Sequence, residues 1–308
     1  MRVPETVLAG VREALEEAGS SGSITGSAPV GGGCINPSAR LETDGGESFF
    51  LKWNPASDVE MFAAEADGLE SLREGARETP LRIPRVLGRG GTGTAEDPGW
   101  LLLEYVPPGS PSSDYGIRLG RGLARLHAQG REGGGFGWHR NNFIGSLPQE
   151  NDPLESWPAF WRGRRLEPQI AMARDGGYFR GGQGDALDDL LDRTETILGG
   201  VPSHGPALIH GDLWSGNHYP GPEGEPVLID PAVYRGVGEV DLAMMELFGR
   251  FPAGFREAYR NEASLGEAYD RFLRNLYQLY YLLVHVNLFG GGYVASSLAA
   301  ARQALEAS

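Results

Sequence analysis

The sequence predicts an α+β protein in two lobes, a small N-lobe built on an antiparallel sheet and a larger, mainly helical C-lobe. Three observations carry that prediction. Within the first hundred residues β-rich runs alternate with glycine turns, as in SARLETD, GG and SFFLKWN. A double proline, Pro107 and Pro108, stops the last of those runs; from Trp157 onward the apolar spacing is helical, apart from two short apolar runs near residues 208 and 228. A chain of 308 residues is also long enough for two lobes around a cleft. The expected division is 1–106 for the N-lobe and 107–308 for the C-lobe.

Taken in order, PETVLAGVREALEEAG repeats Val7, Val11 and Leu15 at helical spacing and stops at a glycine. The stretch from Ser23 to Asn54 reads as two or three antiparallel strands joined by glycine turns. A helix is expected from Asp58 to about Glu74, then a strand pair, IPRVLGRGG and WLLLEYV. Beyond the prolines, DYGIRLGRGLARLHAQG is helical and GGGFGWHRNNFIGSLPQ reads as a loop region. The longest apolar stretch, LYQLYYLLVHVNLFGGGY, is interrupted by Gln278, His285 and Asn287 and ends in glycines, which suits a buried helix and not a membrane span.

Charge narrows the partners. Forty-one acidic residues against 27 basic ones give a formal net charge of −14, which argues against nucleic acid or an anionic membrane surface as a general partner. An anionic substrate would need local positive charge or a metal to offset that field. One cysteine, Cys34, excludes an intramolecular disulfide framework and fits a reducing cytosol. The N-terminus shows no basic segment followed by an apolar core, so no signal peptide is expected and the expected location is cytoplasmic. The expected assembly is a monomer or a homodimer. Lys52 is the only lysine in the chain. Either it is a remnant of a bias toward arginine, or it presents a compact ammonium in a site too tight for a guanidinium.

The chemistry gathers in LIHGDLWSGNHYPGPEGEPVLID, Leu208 to Asp230. Asp212 and Asn217 stand five residues apart, the spacing of the kinase catalytic loop H-R-D-x-x-x-x-N. There a carboxylate accepts or orients the proton of an attacking hydroxyl, and an amide oxygen one short loop later binds magnesium. Thirteen residues on, Asp230 closes the apolar run PVLID, where a strand-end carboxylate can bind Mg²⁺ bridging nucleotide phosphates. Two loops of one hairpin would then converge. The bland alternative is that Asp212 and Asn217 cap a turn. His210 either braces the loop or reaches the substrate.

The N-lobe offers the rest of a phosphotransfer site. Lys52 lies in a strand about twenty residues after a glycine turn, where such a fold places the lysine that holds the α- and β-phosphates. On the following helix Phe62, Ala66, Leu69 and Leu72 form one apolar stripe at about 100° per residue, and Glu65 falls within it while Glu60 points to solvent. Glu65 is either the partner of Lys52 or a rim residue. GGGCINPSARLET lies where a loop would cover the phosphates, through Gly32, Gly33, Cys34, Asn36 and Ser38, although it lacks both G-x-G-x-x-G and the Walker pattern. Backbone groups from Glu104 to Val106 would pair with adenine, or simply join strand to linker.

The runs GGGCINPSARL, FFLKWN, GWHRNNFIGSLPQEN, HGDLWSGN, IDPAVYRGVGEVDLAMMELFG and LYQLYYLLVHVNLFGGGY together cover most of the chain, which resembles the fructosamine kinase (ketosamine-3-kinase) family, relatives of aminoglycoside phosphotransferases within the protein-kinase-like fold. The resemblance implies ATP-dependent phosphorylation of a sugar hydroxyl on fructosamine or ribulosamine adducts, small or protein-linked, giving an unstable product that falls off. It makes Asp212 the base, Asn217 and Asp230 the Mg²⁺ ligands (Mn²⁺ fits the same oxygens), and Lys52 with Glu65 the phosphate-orienting pair. Trp138, Asn141, Asn142 and Trp214 are candidates for acceptor contact. The family usually reads YYGHRE-x-DLAM where this chain has VYRGVGEVDLAM, so Val237 and Gly238 replace a histidine and an arginine, with a changed acceptor pocket as the expectation. Asp241 either stiffens the catalytic loop or caps a helix. Cys34 is either a small turn residue or a redox brake on the phosphate loop. A kinase of the same fold acting on an aminoglycoside or amino alcohol is the alternative. A non-catalytic scaffold predicts a lost catalytic residue, and all five are present.

Overall fold

The structure, a computed structural model, describes residues 2–20, 22–31, 36–54, 59–129, 135–201 and 205–308. The expected helix start at Asp58 and the glycine loop at Gly32, Gly33 and Cys34 lie outside the described residues.

Strands β1 (Ile24–Pro29), β2 (Ser38–Thr43), β3 (Ser48–Asn54), β4 (Val86–Gly90) and β5 (Gly99–Glu104) form an antiparallel sheet in the order β1-β2-β3-β5-β4. Side-chain alternation assigns its two faces. Phe49, Leu51 and Trp53 of β3 join Trp100 and Leu102 of β5 in a core closed by Val7, Val11 and Leu15 of helix α1 (Glu5–Glu17). Leu101 and Leu103 face the other way, into the core that contains Phe62, Leu69 and Leu72 of helix α2 (Val59–Gly75). Lys52, between Leu51 and Trp53, therefore points to the α2 side, where the cleft opens.

Helix α3 (Tyr115–Ala128) follows the linker. The region read as a loop holds a hairpin, β6 (Asn142–Ile144) with β7 (Leu147–Gln149), which packs on α2. The remainder is mainly helical. Helix α4 (Trp157–Phe160) runs through a π-helical stretch into α5 (Glu167–Asp175), followed by α6 (Asp185–Gly199). After the small strands come α7 (Glu239–Leu247), α8 (Phe255–Glu262), α9 (Arg274–Phe289) and α10 (Val294–Ala307). The long apolar stretch is α9. Leu276, Leu279, Tyr280, Tyr281 and Leu283 are all buried, so the helix is the axis of the C-lobe. Among the described residues no helix is long and apolar enough to cross a membrane.

Strands β8 (Ala207–Ile209), β9 (His218–Pro220), β10 (Pro226–Leu228) and β11 (Tyr234–Gly236) correct the expectation of a single hairpin. Strand β9 pairs with β10, while β8 pairs with β11, each antiparallel. Two separate ribbons result. The Asp212 loop joins β8 to β9 and the Asp230 loop joins β10 to β11, so both loops lie where one ribbon passes to the other.

Candidate active site

Strand β3 and helix α2 meet at an ion pair. Lys52 is 7% exposed, and its Nζ lies 2.7 Å from Glu65 Oε1 and also contacts Asp230 Oδ1. Burial alone would lower the Lys52 pKa, but the Asp230 and Glu65 carboxylates outweigh it and raise the ammonium above its ordinary value. Removing one partner from such a buried pair costs on the order of 3–5 kcal/mol. Asp230 has φ +56, a left-handed backbone uncommon outside glycine. Glu60 instead lies on the outer side of α2, paired with Arg140.

The loop after β8 is held from beneath. Asp241, fully buried, accepts from the backbone N–H of His210 and of Gly211, each at 2.8 Å. His127 Nε2 lies 3.1 Å from the same carboxylate, and His127 Nδ1 lies 2.9 Å from the Tyr259 hydroxyl. Burial raises the Asp241 carboxyl, but the His127 hydrogen bond, the charges of both histidines and the His210 N–H outweigh that and hold it below the usual range. The Tyr281 hydroxyl donates to the Gly211 carbonyl at 2.6 Å. Gly211 has φ +81, and a Cβ there would stand 2.1 Å from the Ala232 oxygen, so only glycine fits. Of the two readings open for Asp241, the structure supports the loop brace. Its carboxylate bonds outside α7, and Gly238 flanks the helix start.

His210 is likewise a brace. Its ring is buried and bonds the Ile229 carbonyl through Nε2 at 2.8 Å, while Asp212 N–H donates to its Nδ1 at 3.3 Å. Burial lowers its pKa. Asn217 Nδ2 donates to the Asp212 carbonyl at 2.8 Å and lies 3.3 Å from Asp212 Oδ2. Burial, then the neighbouring Asp230 and Asp241 charges, push the Asp212 carboxyl up to about 7 against the Asn217 hydrogen bond. A carboxyl so placed is suited to hold a proton near neutral pH.

Lys52, Glu65, Asp212, Asn217 and Asp230 line one cleft of about 410 Å³ between sheet and helical lobe, together with Phe50, Leu103, Trp214 and Tyr219. Asn36 and Ser38 also line it; Asn36 Oδ1 accepts from Asn54 Nδ2 at 2.8 Å, and the Ser38 hydroxyl bonds the Val30 carbonyl. Glu104 and Val106 reach it at the linker. The Glu104 carboxylate is paired with Arg82 at 2.7 Å, its N–H bonds the Arg85 carbonyl, and the Val106 carbonyl accepts from the Tyr219 hydroxyl at 2.9 Å.

The acceptor candidates divide. Trp214 lines the cleft, in room left by Gly216, where a Cβ would stand 2.4 Å from the indole. Asn142 borders it, but its amide is committed to the Val233 carbonyl, Gln149 and Asn151. Trp138 points instead to Asp67 at 2.7 Å, and Asn141 to the Asn151 N–H. Val237 and Gly238 lie behind the Asp212 loop, around a small cavity with His127 and Tyr259, and are not among the residues that line the cleft. His127, Tyr259 and Tyr281 were not singled out in the sequence; nothing local marks a side chain whose role depends on a partner 70 to 132 residues away.

The donor set suits a phosphate-bound divalent cation. Asn217 directs its amide nitrogen to Asp212, which leaves Oδ1 as a ligand, and Asp230 supplies a carboxylate. Among the described residues no three His, Cys, Asp or Glu side chains form a metal cage. Two protein oxygens completed by phosphates and water are what magnesium takes at such sites.

Comparison with known proteins bears on the family and the fold. The sequence model of the fructosamine kinase family matches residues 8–307. A probable ketoamine kinase of Synechocystis is 42% identical over 264 residues, covering 86% of this chain and 85% of that protein. A chloroplastic protein-ribulosamine 3-kinase of Arabidopsis thaliana is 36% identical, over 94% of this chain and 85% of its own length. The crystal structure of a putative fructosamine-3-kinase from Thermobifida fusca superposes with a TM-score of 0.83 at 34% identity, covering 96% of this chain and 98% of that one. A thermostable mutant of an aminoglycoside phosphotransferase reaches a TM-score of 0.60 at 16% identity, over 96% and 98%, a likeness of fold alone.

Proposed function

The chain belongs to the fructosamine kinase family, and from that premise we propose how its cleft divides the work of phosphorylating a sugar hydroxyl of a ketoamine with ATP. Lys52, held by Glu65, neutralises the nucleotide phosphates. Adenine pairs with the backbone between Glu104 and Val106 through the groups not already engaged by Arg85 and Tyr219. Asp212 accepts the proton of the attacking sugar hydroxyl as its oxygen bonds to the γ-phosphorus and the bond to the ADP oxygen breaks. Trp214 offers an aromatic face to the acceptor. Asn217 Oδ1 and the Asp230 carboxylate would hold Mg²⁺, which when bound offsets the charge of the phosphates.

The observation that carries this reading is the meeting of Lys52, Glu65 and Asp230 within the cleft that also contains Asp212 and Asn217. The test is ADP release with Mg-ATP and ribulose-lysine, fructose-lysine or kanamycin in parallel, with Asp212→Asn as blank. Turnover on a ketoamine and none on kanamycin is expected, and the two ketoamine rates give the sugar preference. Turnover on kanamycin alone would move the reading to the aminoglycoside alternative.

A further inference from the structure

The segment Trp138–Arg140 takes no part in the chemistry above and is not among the residues lining the cleft, yet it grips α2 from the C-lobe. Trp138 Nε1 donates to Asp67 Oδ2 at 2.7 Å, and His139 Nε2 lies 3.2 Å from Asp67 Oδ1. Arg140 pairs with Glu60 and donates to the Ala63 carbonyl at 3.2 Å. Asp67 stands two residues from Glu65, while Ala63 and Glu60 lie within the preceding turn and a half. Elsewhere on α2, a Cβ at Gly68 would stand 3.1 Å from Val233 Cγ2 and 3.4 Å from Pro231 Cγ, so the helix also lies close against the chain that follows Asp230.

The gripping segment is itself anchored by a buried polar knot around Asn151, which is fully buried. The Asn151 carbonyl accepts from Trp138 N–H at 2.8 Å, and its N–H donates to Asn141 Oδ1 at 2.8 Å. Its Nδ2 donates to Asn142 Oδ1 at 2.8 Å, and its Oδ1 accepts from Arg165 at 2.7 Å. Asn142 in turn donates to the Val233 carbonyl at 2.8 Å. One network therefore fixes the segment to the Asp230 chain, while Trp138 and Arg140 fix it to the helix that carries Glu65.

We propose that Trp138 and Arg140 are positioning residues, holding α2 where Glu65 meets Lys52. The physical reason is the shared ammonium. Lys52 is shared by two carboxylates: it holds Asp230 through Oδ1 only, and Glu65 takes the rest of the ammonium, which leaves Asp230 Oδ2 for the nucleotide's cation. A helix displaced outward would leave Lys52 on Asp230 alone. Asp67 is the natural handle, since each of its oxygens has a C-lobe partner.

The inference rests on the reading of the cleft as a nucleotide site but not on the identity of the acceptor, so the test uses Mg-ATP binding by calorimetry. Trp138→Phe keeps an aromatic ring and removes the donor to Asp67; a loss of at least about tenfold in affinity is expected, the lower end for one hydrogen bond to a charged group. Arg140→Ala, at a partly exposed side chain, is expected to lose about threefold, with Arg140→Lys recovering part of it. The deciding comparison is with Glu65→Gln. If the clamp acts through Glu65, Trp138→Phe adds little further loss in that background. A merely structural role lowers the melting temperature without that non-additivity. Full additivity with Glu65→Gln, or unchanged binding in both clamp variants, would overturn the proposal. A wild-type protein that binds no nucleotide would overturn it together with the nucleotide reading of the cleft, whereas absent ketoamine turnover with intact binding would count only against the acceptor.

Discussion

Asp241→Asn separates support of the catalytic loop from the chemistry performed on it. In the wild type one carboxylate oxygen accepts from Gly211 N–H and the other from His210 N–H, both at 2.8 Å, with His127 Nε2 at 3.1 Å from the second. An asparagine keeps one acceptor. Its NH₂ must then face one of the two backbone donors, leaving that N–H unpaired in a fully buried position. The loss of a charge-assisted bond and the orphaned donor each cost about 1–3 kcal/mol, so a total of about 3 kcal/mol is expected. For a chain of this size, at about 2.1 cal/mol/K of unfolding entropy per residue, that lowers the melting temperature by about 5 °C. The loop carrying Asp212 loosens as well, and a misplacement on the order of 1 Å costs about a hundredfold in rate. The expected result is a kcat reduced by roughly ten- to a hundredfold with the Kd for Mg-ATP nearly unchanged, read by ADP release and calorimetry. pH adds a check. The Asp241 carboxyl is held below its ordinary range, so its stabilisation is complete above about pH 4, the unfolded value, and fades as pH falls through the folded value. Melting curves of the variant should therefore lose part of the wild-type acid sensitivity. A variant that melts within about 2 °C of wild type and turns over normally would refute the reasoning.

Three further outcomes follow from the same contacts. Lys52→Arg should weaken Mg-ATP about tenfold by calorimetry although the charge is kept, because the space between Glu65 and Asp230 fits an ammonium and not a planar fork; wild-type binding would show that the lone lysine has no special role. Gly211→Ala must place a Cβ 2.1 Å from the Ala232 carbonyl at φ +81, so it should lose more than about 2 kcal/mol in denaturant titration together with most of its kcat. Chelation should stop turnover, and Asn217→Ala should raise the magnesium needed for half-maximal rate at least about tenfold; equal magnesium curves for the two proteins would remove Asn217 from the metal's ligands.

How much of this was legible in the sequence depends on how local the signal is. Lys52 and Glu65 could be paired in advance because strand alternation and helix periodicity are set within a few residues, and because a glutamate among Phe62, Ala66 and Leu69 needs a cation. Asp212, Asn217 and Asp230 stood out by spacing. The pairing of β8 with β11 and of β9 with β10 did not, since three-residue strands carry no usable period and their partners are chosen by tertiary contacts. For the same reason the β6–β7 hairpin has the sequence of a loop.

The departure at Val237 and Gly238 shows where a sequence comparison needs the packing. Residues that depart from the run the resemblance leads one to expect, so soon after Asp230, invite a reading in terms of substrate choice. In the structure a Cβ on Gly238 would stand 2.4 Å from His127 Nδ1 and 2.7 Å from the Tyr259 hydroxyl. The missing side chain is thus the room through which His127 reaches Asp241, and Asp241 holds the backbone of His210 and Gly211. Gly238 packs with His127, more than a hundred residues earlier, in the group that supports the Asp212 loop from the side away from the cleft. Acceptor choice is then better sought among the residues that line the cleft, where Trp214, two residues from Asp212, offers an aromatic face.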